Sequence, residues 1–148
     1  MSDGTASAID LRALARGALV GLAIIVPVTV LRAVLDRALD DFDDSVWKGV
    51  LFVVILAAFL VAGWSTGRLA PSAPLSNGAL AALGAIVLWL PIRLLIWLVR
   101  DDSRGLVSGE DAALSPGQLL GTAAFAAALG MVGGMLGARR AQAGHTEA

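Results

Sequence analysis

Long apolar blocks separated by short polar segments organise this chain. Residues 17–35 read GALVGLAIIVPVTVLRAVL, residues 46–64 VWKGVLFVVILAAFLVAGW, residues 79–99 ALAALGAIVLWLPIRLLIWLV, and residues 118–136 QLLGTAAFAAALGMVGGML. Each is close to the roughly 20 residues that carry a helix across about 30 Å of hydrocarbon. Helix is required because a span in lipid must satisfy its own backbone hydrogen bonds. The pattern predicts an all-α, integral membrane four-helix bundle in one domain. Its spans run from about 13 to 38, 46 to 67, 77 to 100 and 116 to 138, and 139–148 form a polar tail.

The separators are polar: DRALDDFDDS at 36–45, STGRLAPSAPLSN at 65–77 and RDDSRGLVSGEDAALSPG at 100–117. Ser76 or Asn77 is an N-cap candidate for the third span, and Pro116 suits the first position of the fourth helix. The third separator also has room for a short amphipathic turn. Arg12 and Arg16 precede the first block as in a signal peptide. Its helix pattern nevertheless continues through LRAVLDRAL with no small-residue cleavage site, so it reads as a retained first span.

Composition supports the membrane class. Of 148 residues, 57% are hydrophobic and 16% charged, against about 45–50% and about 25% in ordinary domains. A 15.1 kDa globule has too much surface for its volume to bury that excess. Net charge is −1 and there is no basic stripe, so nucleic acid is not an expected partner. The absence of cysteine removes disulfides and thiolate chemistry. His145 stands in the polar tail without a second ligand, and neither a metal nor another cofactor is expected. Ten of the eleven basic residues are arginine, Lys48 being the exception. With the alanine and glycine content, this reads as a bacterial protein of the inner membrane.

Trp47 and Trp64 lie 17 residues apart, roughly 25 Å along a helix, and Trp97 falls level with Trp47. All three are expected as interface anchors, while Trp89 lies deeper. Leaving aside Arg32 and Arg93, the side holding both termini carries Arg12, Arg16, Arg68, Arg139 and Arg140. The other carries Arg37, Lys48, Arg100 and Arg104 beside most of the carboxylates. The positive-inside rule then favours cytoplasmic termini.

The two halves echo each other. Spans one and three each pair a proline with an arginine (Pro27 with Arg32, Pro91 with Arg93), and spans two and four end in glycines and arginine. This suits two tandem helical hairpins of the same orientation, with chance similarity between hairpins as the alternative. The stretch GWSTGRLAPSAPLSNGALAAL at 63–83 resembles the linker of small bacterial four-helix membrane proteins of the YrzE type. The resemblance implies the same multi-pass topology and transfers no activity or site residue.

Glycine marks the packing faces. Gly63 and Gly67 in span two, with Gly130, Gly133, Gly134 and Gly137 in span four, give small-xxx-small spacings. Such spacings let helix backbones approach closely where lipid supplies no hydrophobic drive. They fit packing within one chain, and equally a face for a homodimer or a larger membrane-protein partner.

Arg32 and Arg93 sit inside the apolar blocks. Arg93 is seven residues short of Arg100, roughly 10 Å below the acidic interface. Trp89 and Trp97 flank it at i−4 and i+4, within reach for cation–π stacking, and Asp36 is an i,i+4 partner for Arg32. Both arginines read either as snorkelling anchors or as an intramembrane site for an anion or lipid headgroup. Asp36, Asp40, Asp41, Asp43 and Asp44 lack EF-hand spacing and read as a solvated helix end. Asp101, Asp102, Glu110 and Asp111 read the same way.

An enzyme would need convergent catalytic groups, and neither cysteine nor a membrane histidine is present. The span interiors hold no carboxylate of the kind a proton-coupled cation antiporter requires. The sequence favours a non-enzymatic accessory, scaffold or assembly subunit packing through glycine faces. The alternative is a small homo-oligomeric transporter, channel or flippase for an anionic solute or lipid, using Arg32 and Arg93.

Overall fold

The computed structural model describes residues 9–39, 41–100 and 115–145. The expected amphipathic turn and carboxylates of the third separator, 101–114, lie outside the described residues, as do Asp40 and the last three residues of the tail. Four helices make up the fold: α1 Leu11–Ala38, α2 Val46–Leu69, α3 Pro74–Arg100 and α4 Pro116–His145. All four are long and apolar enough to cross a membrane. The chain is an all-α four-helix bundle with the makeup of a multi-pass membrane protein.

Local chemistry sets the helix ends. Asp10 caps α1, its carboxylate accepting from the Arg12 and Ala13 backbone N–H groups at 2.9 and 3.1 Å, which satisfies two otherwise orphaned donors. Neither Ser76 nor Asn77 caps α3. The helix starts earlier, at Pro74, whose fixed φ and missing N–H suit a first position. Ser76 and Asn77 therefore lie in the first turn, where the Asn77 N–H donates to the Ala73 carbonyl at 3.0 Å. A short 3-10 turn, Phe42–Asp44, joins α1 to α2. It tucks Phe42 away from solvent, and the Ser45 hydroxyl closes the turn by donating to the Phe42 carbonyl at 2.7 Å. α4 continues through the polar tail to His145, beyond the apolar stretch that ends near 136.

Neighbouring glycines fix how the helices run. A Cβ added at Gly63 would meet the Gly130 backbone, and one at Gly67 the Gly134 backbone, so α2 and α4 are parallel. Gly17 faces Ala81 and Gly21 faces Ala85, so α1 and α3 are parallel too. α1–α2 and α3–α4 are antiparallel hairpins laid side by side. A two-fold axis relating them would make the α1–α4 and α2–α3 contacts equivalent. Instead α2 packs on α3, whereas α1 and α4 do not touch among the described residues.

Packing is unequal along the bundle. At the end holding the chain termini, Gly130 and Gly134 also press on Gly78 and Pro74 of α3, while Gly133 and Gly137 press on Leu60 and Trp64 of α2. Backbone lies against backbone throughout this seam. At the opposite end, Gly49 of α2 and Gly117 and Gly121 of α4 have nothing within 4 Å of an added Cβ. Among the described glycines, backbone-to-backbone approach is confined to the end holding the termini and the middle of the bundle. Between these regions Ile25, Phe59, Ile86 and the alanines 58, 82, 85 and 126 form the core.

Candidate functional site: a cationic intramembrane cavity

Toward the end of the bundle opposite the termini lies a cavity of about 400 Å³ lined by all four helices, within the roughly 300–1,000 Å³ range of ligand sites. Each helix supplies a stripe at helical spacing. α1 gives Ile25, Thr29 and Arg32, and α3 gives Ile86, Trp89 and Arg93. α2 gives Phe52, Ile55, Leu56 and Phe59, and α4 gives Gln118, Gly121, Thr122 and Phe125. A seven-residue stripe spans roughly 10 Å along a helix, so the cavity is about two turns deep.

Helix direction sorts these residues by depth. Arg32, Arg93, Gln118 and Phe52 stand nearest the C-terminal ends of α1 and α3. Thr29, Trp89 and Thr122 form a middle tier. Ile25, Phe59, Ile86 and Phe125 stand deepest, and the first three of these belong to the core. The cavity therefore ends on packed side chains midway along the bundle.

The middle tier is tied together. The Thr29 hydroxyl donates to the Ile25 carbonyl at 2.8 Å, and the Trp89 indole N–H donates to Thr29 Oγ1 at 3.1 Å. That leaves the indole face for Arg93, whose guanidinium carbon lies 4.9 Å from the ring centroid. Stacking engages the face of a guanidinium, whereas its N–H donors lie at the edge. Arg93 is half-buried and Arg32 exposed. Two cations from different helices thus share one cavity.

The other sequence candidates fall elsewhere. Asp36 is half-buried one turn beyond Arg32 and does not line the cavity. Trp47 is exposed, while Trp64 and Trp97 are half-buried. Trp64 carries the Arg68 guanidinium over its ring at 4.8 Å, at the end remote from the cavity. Gly63, Gly67, Gly130, Gly133, Gly134 and Gly137 are all engaged within the chain. Among the described residues no group of three or more His, Cys, Asp or Glu is placed to hold a metal. A second groove of about 290 Å³ between α1 and α3 is aliphatic apart from Arg37.

Sequence reasoning passed over Thr29, Thr122 and Gln118 at the cavity and the fully buried Thr66, while Asn77, an N-cap candidate in the sequence, is fully buried too. The Thr66 hydroxyl lies 3.0 Å from the Ala62 carbonyl and 3.3 Å from the Ala13 carbonyl of α1. For Thr29 the available signal was a hydroxyl inside an apolar block, three residues before Arg32. No family model, curated protein or solved structure matches the chain.

Proposed function

We propose that the chain is a non-catalytic multi-pass protein of a bacterial inner membrane that binds an anionic solute or lipid in its four-helix cavity. The observation that carries this reading is the convergence of Arg32 and Arg93 on one cavity from two helices. Charge inside a span is expensive and usually serves a site. The acidic separators would face the periplasm and both termini the cytoplasm, following the arginine distribution. Because the cavity ends on Phe59 and Ile86, the geometry favours binding or carrier-type movement over a standing channel. The resemblance to proteins of the YrzE type belongs to the same proposal and adds no activity to it.

The accessory-subunit reading drew on the glycine faces. Those glycines are spent inside the bundle, so they no longer argue for a partner surface. A homodimer or a larger membrane partner would have to use other faces.

The test is thermal unfolding in a mild non-ionic detergent, with phosphatidylglycerol or phosphatidylcholine added. A ligand at 100 times its Kd stabilises the folded state by about 2.7 kcal/mol. Phosphatidylglycerol should raise Tm in the native chain and not in the Arg32→Gln, Arg93→Gln double variant. Equal shifts with both lipids, or an undiminished shift in the variant, would overturn the reading. Crosslinking in cells followed by mass spectrometry addresses the accessory reading, which a stoichiometric protein bound along α4 would restore.

A further inference from the structure

Resting on that reading, we infer that a paired proline hinge works the anion site. Pro27 and Pro91 let the ends of α1 and α3 that carry Arg32 and Arg93 bend together over the cavity. The hydrogen bond from Trp89 to Thr29 latches the bent state.

Both prolines lie inside their helices. Gly17 faces Ala81 and Gly21 faces Ala85, and the same register, carried on along this parallel pair, sets Pro27 level with Pro91. Each proline removes the backbone bond to the carbonyl four residues earlier, Ala23 in α1 and Val87 in α3, and its ring crowds that carbonyl. A helix opened on its proline face bends toward the opposite face. At 3.6 residues per turn, both prolines stand roughly 180° around their helices from the residues that line the cavity. Both are exposed. The two bends are therefore directed at one cavity from one level. Thr29 adds to the weak point in α1: a hydroxyl donating to the carbonyl four residues back, here that of Ile25 at 2.8 Å, itself favours a bend.

Packing between α1 and α3 changes at this level. Before the prolines, glycine presses on alanine, and Ile25 and Ile86 belong to the core. Beyond them lies the aliphatic groove of about 290 Å³, whose lining starts at Val30 on α1 and at Leu95 on α3. Residues 28–38 of α1 and 92–100 of α3 are thus two arms on a packed base, with free space between them. Arg32 and Arg93 belong to the arms, whereas Phe59, Ile86 and Trp89 belong to the base. A bend carries both cations relative to the cavity floor and leaves the core in place.

Trp89 precedes Pro91, whereas Thr29 follows Pro27. Their 3.1 Å hydrogen bond therefore crosses the hinge and fastens the arm of α1 to the base of α3. An anion held by both arginines favours the same bent state, so binding and closure of the arms are linked.

The chain contains no cysteine, so spin labels attach only where one is introduced. Val34→Cys in the α1 arm and Leu120→Cys in α4 are exposed label sites. Leu11→Cys with Leu69→Cys, also exposed and at the end holding the termini, is the control pair. Val34 lies seven residues beyond Pro27, roughly 10 Å, so a change of about 20° in the bend moves it by about 3–4 Å. The full chain is reconstituted in nanodiscs of phosphatidylcholine, with or without phosphatidylglycerol. Label distances are read by double electron–electron resonance.

In phosphatidylcholine the pair at 34 and 120 should show two distances separated by about that amount. Phosphatidylglycerol should collect them into the shorter one and leave the control pair unmoved. Pro27→Ala with Pro91→Ala should give one distance in both lipids, and the Arg32→Gln, Arg93→Gln double variant should keep two in both. Thr29→Val should raise the ratio of longer to shorter distance in phosphatidylcholine roughly threefold, the factor a typical interhelical hydrogen bond supplies. The same distribution in both lipids for the native chain would overturn the hinge, with the Tm rise in phosphatidylglycerol leaving the anion site standing. Two distances that survive the proline replacements, or a lipid response that survives loss of both arginines, would overturn it too. An unchanged ratio in Thr29→Val would overturn the latch. If phosphatidylglycerol moved neither the distances nor Tm, the hinge and the function it rests on would both fall.

Discussion

The indole N–H of Trp89 in α3 donates to Thr29 Oγ1 in α1 at 3.1 Å, and so joins the two helices through the middle tier of the cavity. Hydrogen bonds between membrane helices average about 0.6 kcal/mol and reach about 1.7 kcal/mol in double-mutant cycles. Trp89→Phe and Thr29→Val, separately and together, should give a coupling energy within that range when reversible unfolding is followed in mixed micelles. Strictly additive effects would mean that the bond contributes nothing.

The glycine seam should respond to position rather than to residue type. Gly63→Ala and Gly130→Ala each drive a Cβ into backbone, and overpacking costs about 1–3 kcal/mol. Gly49→Ala meets open space and should cost nothing, since alanine is favoured over glycine in a helix by about 0.5–1 kcal/mol. Unfolding of the three variants in one detergent ranks them. Similar losses in all three would show that helix propensity rather than close approach governs the seam.

Thr66 is fully buried and links α2 to α1. Thr66→Val keeps the shape and removes the hydroxyl, so about 1 kcal/mol of stability should be lost. Thr66→Ser should retain most of it. A serine variant as unstable as the valine would place the role of Thr66 in its methyl group.

Arg68 stacks on Trp64 at the end opposite the cavity. Arg68→Gln should cost at most about 1 kcal/mol, the usual size of an exposed cation–π contact. It should also leave intact the rise in Tm that phosphatidylglycerol produces in the native chain. A loss of that rise comparable with the Arg32→Gln, Arg93→Gln double variant would mean that net charge, rather than the cavity, recruits the anion.

Apolar length alone made the four helices legible, because each block had to satisfy its backbone in lipid. The start of α3 was not legible in the same way. Ser76 and Asn77 are good caps in isolation, but Pro74 two residues earlier accepts the helix first. Small-residue spacing exposed the glycine faces and gave no partner for them, since Gly63 meeting Gly130 depends on how distant helices lie. The depth of Arg32 and Arg93 followed from counting along each helix. Their meeting in one cavity depended on helix rotation, which single residues do not reveal. The stripes Ile25–Thr29–Arg32 and Ile86–Trp89–Arg93 hold that information only when set side by side.

Where Gly63 meets Gly130 and Gly67 meets Gly134, backbone touches backbone with no side chain between them. Such a seam has no rotamers to rearrange. A change in bilayer thickness is therefore met by α2 and α4 tilting together, as one rigid pair.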